Sequence, residues 1–352
     1  MTDRTQAGSP LAPADHDGRG GARGRLRGGL ILALAAGIGL VTVLVGIVGL
    51  PQVTEAVGAI GWGGFALFVL CWLPVMGVTG LAWAAAAHRL RMDQAGAFIW
   101  SRLVRDSTAE ILPFSQVGGL VFGVRALIGA GVAERVVLAS VIVDMTAEIA
   151  AQFFYTLLGV GLVAVRLNAS LAAPVLWPAL IGLALLFAAG AAVLLAQRRV
   201  VAGLGRLARR WLPDSIARAD AVSAALEEIY RRPGRVAVAV ALHVAGWIGG
   251  AVASWIALRC MGVDTPFWAV VAVESLMYAL RNLGFALPGG LGVQEASYAL
   301  LGPLFGVHAS DALALSLLRR ARDLVIGLPV LAIWQWREGR ALLRRRRAGA
   351  AG

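Results

Sequence analysis

Apolar residues follow one another in blocks along this chain instead of alternating with polar ones. Trp62–Ala87, Val136–Val165, Pro174–Ala196, Val236–Leu258 and Ala309–Trp336 each reach or exceed the ~20 residues needed to cross roughly 30 Å of hydrocarbon. A further block, Leu30–Leu50, is 21 residues long, exceeds a signal-peptide core and lacks a small-residue cleavage site, which predicts a retained helix. The pattern predicts an all-α polytopic membrane protein with about six full spans.

Two segments, 97–132 and 266–307, are neither clean spans nor clean loops. Each has an Arg ahead of a Leu-Pro: Arg105 before Leu112–Pro113, and Arg281 before Leu287–Pro288. Glycines and a Gln follow in both: Gln116, Gly118 and Gly119 in the first, Gly289, Gly290, Gly292 and Gln294 in the second. Val132 and Val307 each stand 19 positions after their proline; Asp144 and Arg319 stand 31 after, Glu148 and Asp323 35 after. Proline removes a backbone donor and glycine permits positive φ, so each cluster should break a helix. Matched interrupted segments in two halves predict a transporter-like repeat with two broken, re-entrant hairpins.

That organisation divides the chain into a disordered cytoplasmic tail (1–29), a first membrane half (30–196), a basic cytoplasmic linker (197–235), a second membrane half (236–336) and a basic tail (337–352). Within the linker, Leu204, Leu207 and Trp211 recur at helical spacing, as in a short interfacial helix or a plain connector. With 59% hydrophobic and only 15% charged residues, a soluble domain is excluded. All 32 basic residues are Arg, clustered in 19–27, 198–235 and 337–347. The positive-inside rule then puts both termini and the linker in the cytoplasm, with the hairpins entering from opposite faces as an inverted repeat. No nucleic-acid reading module accompanies the basic clusters.

Charges placed at membrane depth cost about 2.5–3.5 kcal/mol each on insertion scales and should pair inside the bundle. Asp144, Glu148 and Gln152 share one helix face, as do Arg319, Arg322 and Asp323. Their symmetric positions predict a cross-repeat pair of Asp144 with Arg319, and Glu148 near Arg322. On the hairpins, Arg105, Asp106, Glu110, Arg125, Glu274, Arg281, Asn282 and Glu295 suit headgroup phosphates, hydroxyls, protons or sodium, joined by Gln116, Gly118, Gly119, Pro288, Gly289, Gly290 and Gln294 at the breaks. Arg102, Arg105 and Arg125 also fit ordinary headgroup anchors. Two cysteines and four scattered histidines predict neither a disulfide framework nor a metal site, and no cofactor is expected. No nucleophile elbow, Walker loop or His-Glu-x-x-His motif is present, so no enzyme activity is expected.

The stretches "ILPFSQVGG", "SVIVDMTAEIAAQ", "ALPGGLGVQEASYALLGPL" and "RRARDLVIGLP" resemble the membrane region of the lysylphosphatidylglycerol synthases and their stand-alone relatives. The hopanoid-biosynthesis-associated membrane proteins are the most similar branch, and the resemblance covers nearly all of 30–340. It implies a flippase-like protein of the bacterial inner membrane that moves hopanoid or another amphiphilic lipid between leaflets or towards the outer membrane. No soluble transferase domain follows Arg347, so lipid translocation is expected rather than aminoacyl transfer. Leu120 departs from the acid that relatives carry after the first Gly pair. The alternative is a non-transporting scaffold for hopanoid or glycolipid enzymes; an intramembrane lipid-modifying enzyme ranks third. Membrane lipids and hopanoid-pathway proteins are the expected partners, with no nucleic acid.

Overall fold

The computed structural model describes residues 50–87, 92–111, 115–166, 169–208, 215–283 and 292–349. All regular structure among them is helical: α1 Leu50–Ala59, α2 Gly61–Ala86, α3 Ala95–Ile111, α4 Ser115–Gly129, α5 Glu134–Arg166, α6 Ala169–Ala208, α7 Ser215–Tyr230, α8 Pro233–Cys260, α9 Phe267–Leu283, α10 Val293–Leu301 and α11 Ala309–Gly349. Short 3₁₀ turns occupy Met92–Gln94 and Gly302–Phe305. The protein is an all-α polytopic membrane protein. Three helices, α2, α5 and α8, combine length and apolar composition sufficient to cross a bilayer. The predicted span at Leu30–Leu50 lies outside the described residues except for Leu50, and so do Pro113, Pro288, Gly289 and Gly290.

Both predicted hairpins take shape as helix pairs, α3–α4 and α9–α10. Each hairpin ends in the same C-cap. Gly131 (φ +89°) and Gly306 (φ +81°) adopt the left-handed conformation that glycine tolerates. The amide of Val132 reaches back to the Leu127 carbonyl at 3.4 Å, and that of Val307 to Gly302 at 3.0 Å, the long bond of a Schellman motif. Gly131 also donates to Ile128, and Gly306 to Pro303, at positions in the same register.

Packing repeats as well. Helix α3 of the first half lies on α11 of the second, and α9 of the second lies on α5 of the first. The α2 and α8 helices pack along each other, where Gly246, Gly249 and Gly250 of α8 leave room for Thr79, Val75 and Trp72 of α2. Such close approach by small residues is how helices associate in lipid, where apolar burial alone supplies little drive. Large apolar side chains such as Trp62, Leu70, Phe154, Phe187 and Leu328 face outward, as an apolar surrounding allows.

The linker differs from expectation. Helix α6 continues past residue 197 to Ala208, carrying Leu204 and Leu207 at its end, while Trp211 lies outside the described residues. Helix α7 then turns Val222, Leu226 and Ile229 into a core with Ala86, Ala139, Val143 and Ala239. Half of the linker is therefore part of the bundle, because its i, i+4 and i+7 apolar stripe needs a partner.

Candidate functional site

Charged side chains gather between the hairpins in two clusters. In the first, α5 presents Asp144 and Glu148 on one face towards α3. Arg102 of α3 donates to Asp144 Oδ2 at 3.1 Å and to Glu148 Oε1 at 2.8 Å, with its Nε on Asp106 at 2.8 Å. Arg105 donates to the same Asp144 oxygen at 2.8 Å and to Glu148 Oε2 at 2.9 Å. The remaining oxygen of Asp144 lies 2.9 Å from Nε2 of His243 on α8. Asp144 and His243 are both fully buried. Such a cluster stands only if nearly every lone pair and N–H is used, since a lone charge in this setting costs several kcal/mol.

The second cluster reverses the signs. Here the helix after the hairpin, α11, supplies the cation and the first hairpin leg the acid. Arg319 holds both oxygens of Glu274 on α9, at 2.7 and 2.8 Å, and touches Tyr278 Oη at 2.8 Å and Ser254 Oγ at 3.3 Å. Tyr298 of α10 donates to Glu274 at 2.5 Å. Three aromatic faces, Trp72, Tyr278 and Tyr298, stand within 5.2–5.8 Å of the Arg319 guanidinium. Arg322 lies over Trp72 at 3.8 Å and pairs with Asp323.

The expected cross-repeat pairs do not form. Asp144 meets Arg102, Arg105 and His243 instead of Arg319, and Arg322 meets Asp323 instead of Glu148. Asp144 takes its arginines, and Arg319 its carboxylate, from the first hairpin leg of its own half. The symmetry does show at α2 and α8, each of which reaches into the other half's cluster: Trp72 onto Arg319, His243 onto Asp144. Arg102 and Arg105 are bound up in these pairs and are not headgroup anchors.

Near the breaks, charged contacts do join the halves. Arg281 of α9 binds both oxygens of Glu110 on α3 at 2.5 Å, and Arg320 of α11 lies 3.9 Å from the same carboxylate. Both members are partly accessible, at 16% and 22% of their side-chain surface. They sit near the ends of the two first legs, shortly before the two breaks.

Glu295 is placed otherwise than as an open contact for a guest. It is buried, accepts from the Gly292 amide at 2.8 Å and from Arg320 Nε at 3.0 Å, and so caps α10 where Gly292 turns at φ +80°. Gln294 donates to Ser316 at 3.0 Å, and Gln152 to Thr156 at 3.0 Å, both buried. Gly119 lets the first hairpin close: a Cβ there would stand 2.5 Å from the Arg105 carbonyl, whereas Gly118 faces open space apart from a 3.8 Å contact. Arg125 lies at the surface and pairs with Glu338. The side chains of Gln116 and Asn282 fall outside the described set.

His243 was invisible to sequence reasoning, being a lone histidine in an apolar run. Tyr278 and Tyr298 are as hard to find, and Glu274, a hairpin charge in the sequence, is not linked there to Arg319, since that relation depends on the α9–α11 packing. Asp144, Glu148 and His243 bring three possible metal-ligand atoms within 4.8 Å of one another. Two guanidinium groups already occupy both carboxylates, so a divalent ion would have to displace them. A small cavity lined by Leu258, Val270, Val273, Tyr298, Gly302 and Leu315 is wholly apolar.

A family model described as the lysylphosphatidylglycerol synthase TM region matches residues 30–330. No curated protein and no solved structure matches the chain.

Proposed function

From the chain's membership of the lysylphosphatidylglycerol synthase TM-region family, which ties it to lipid metabolism or translocation, we propose that it moves lipid between leaflets as a flippase- or scramblase-like protein. The substrate is hopanoid or an anionic phospholipid, the site is the bacterial inner membrane, both termini are cytoplasmic, and no covalent step is involved. The observation that carries this reading is the Glu110–Arg281–Arg320 contact, where the two hairpins meet through charges that remain partly accessible. A headgroup phosphate presents the same bidentate acceptor geometry as Glu110 and can exchange with it on Arg281. Exchange would release one hairpin from the other while keeping the arginine paired, which avoids the cost of an uncompensated charge.

The test is reconstitution. Vesicles containing the protein should equilibrate a fluorescent phospholipid or hopanoid analogue across the bilayer at least about tenfold faster than empty vesicles, and Arg281→Gln should remove most of that gain, a loss of roughly 1.4 kcal/mol or more. Equal rates with and without protein for both lipids sink the reading and leave the scaffold alternative.

A further inference from the structure

Two buried donors meet between α2 and α11 with no acceptor between them. Trp72 stands near the middle of α2, a helix long and apolar enough to cross a bilayer, and Arg322 of α11 lies over its ring at 3.8 Å. Trp72 is 7% exposed and the Arg322 side chain 7%. Nε1 of Trp72 and Nη1 of Arg322 are both buried and have no hydrogen-bond partner among the described residues. The other Arg322 nitrogens, Nε and Nη2, converge on Oδ1 of Asp323, which fixes the guanidinium by its far edge. Stacking does not satisfy Nη1, because a guanidinium over an aromatic face keeps its N–H bonds in its own plane. Nor is the indole free to turn towards another partner. Phe68 meets it edge-on at 6.5 Å, and a Cβ on Gly250 of α8 would come within 2.9 Å of its Cη2. Indole and guanidinium groups donate and never accept, so the atom that both lack is an acceptor.

We propose that Trp72 Nε1 and Arg322 Nη1 form a binding site for a phosphate oxygen, carried by a lipid headgroup or by free phosphate. An anionic oxygen accepts from both groups at once and gains a charge-assisted bond from the guanidinium. Arg319, 5.2 Å from the same indole ring, adds a second positive charge beside the site. The neighbouring carboxylates, Glu274 and Asp323, are already held by Arg319 and Arg322. A hydroxyl or a water also accepts, but it brings hydrogens of its own that neither donor can take. The site is separate from the Glu110–Arg281 contact. Helix α11 turns Arg320 towards Glu110, and Arg322, two residues on, towards Trp72 of α2. A phosphate that displaces Glu110 from Arg281 therefore finds further donors on the adjoining face of α11. The site itself rests on geometry; its place as a station on a lipid path rests on the translocation reading above.

Indole NMR of the full chain tests the site without any transport assay. The protein is stripped of lipid and held in dodecyl maltoside, whose headgroup offers hydroxyls and no phosphate. Of the eleven tryptophans, the one whose Nε1–H signal vanishes in Trp72→Phe should shift saturably with dihexanoylphosphatidic acid, with inorganic phosphate, or with both. A response to the lipid, with or without free phosphate, supports the site and its place on the lipid path. A response to inorganic phosphate alone supports the site and overturns that place. No shift with either probe means that water or a detergent hydroxyl serves these donors, and the site is overturned. Trp72→Phe keeps an aromatic face under Arg322 and removes the N–H, so isothermal titration should show probe binding weakened at least about fivefold. Should that variant fail to fold, Arg322→Lys, which keeps the charge without the planar fork, must show the same loss. Wild-type affinity in the variant that folds overturns the assignment. In vesicles the same variant should slow movement of a phospholipid analogue at least about threefold, and an unchanged rate overturns the station on the path. If wild-type vesicles move no lipid, the translocation reading fails while the site stands on the NMR result.

Discussion

The two halves solve one problem with opposite signs. Behind the first hairpin, α5 carries the acids and α3 the arginines; behind the second, α11 carries the arginine and α9 the acid. The repeat thus preserves where a charged contact lies and not which helix bears which charge. Each hairpin leg has its own neighbour for a partner, so a sign reversal on one helix is compensated on the adjacent one. Environment follows sign: the buried arginine of the second half sits among three aromatic rings, whose faces attract a cation, while the acids of the first half gather guanidinium groups and an imidazole.

Exchanging charges between halves should break this most severely. In Asp144→Arg/Arg319→Asp, each new residue would face like charge: an arginine against Arg102 and Arg105, an aspartate against Glu274. With about 3–5 kcal/mol for each broken buried pair, the double variant should lose roughly 6–10 kcal/mol and fail to yield folded protein in detergent. Exchange within the second half, Glu274→Arg/Arg319→Glu, keeps the pair and forfeits mainly the aromatic contacts, about 0.5–2 kcal/mol each way. Thermal unfolding of both double variants decides the matter: a folded cross-half exchange would mean that Asp144 and Arg319 can meet after all.

A smaller effect separates two adjacent glycines of the first hairpin. Gly119→Ala drives a methyl group towards the Arg105 backbone, which cannot rotate away, and should cost about 1–3 kcal/mol. Gly118→Ala meets only the Thr108 methyl at 3.8 Å and should be neutral or stabilising by up to ~1 kcal/mol from helix propensity. Detergent melting curves that separate the two variants in this way would place the close approach of α3 and α4 at Gly119 and not at Gly118.

What could be read from the chain was what depends on local order. Apolar blocks located α2, α5, α8 and α11, and the Leu-Pro and glycine clusters located both hairpins and even their Gly-Val ends. The pairing of charges could not be read, because Asp144 and Arg319 matched by position suggest partners, while the actual partners depend on which helix lies one diameter away. Arg102 and Glu274 occupy unrelated positions in the two repeats, so internal symmetry gave no hint of their shared role. His243 and Glu295 are hard to read for the reverse reason: one is a lone histidine in an apolar run and the other stands just past a break as a headgroup contact would, and tertiary packing makes the first a partner of Asp144 and the second a helix cap.

The smallest effect tests where the ordinary surface begins. Arg125 of α4 pairs with Glu338 at the end of α11, and its side chain is 55% exposed. Nearby, Arg337 lies over Trp100 and Arg340 over Trp336, a basic and aromatic rim of the kind found at a headgroup level. In water or among headgroups the Arg125–Glu338 pair is screened, so Arg125→Gln should cost less than about 1 kcal/mol and the cost should shrink as salt rises. The buried pairs of the two clusters should show no such salt dependence. A loss of several kcal/mol for Arg125→Gln, unaffected by salt, would put the pair within hydrocarbon, and the boundary of the membrane-embedded region would then lie beyond Glu338 on α11.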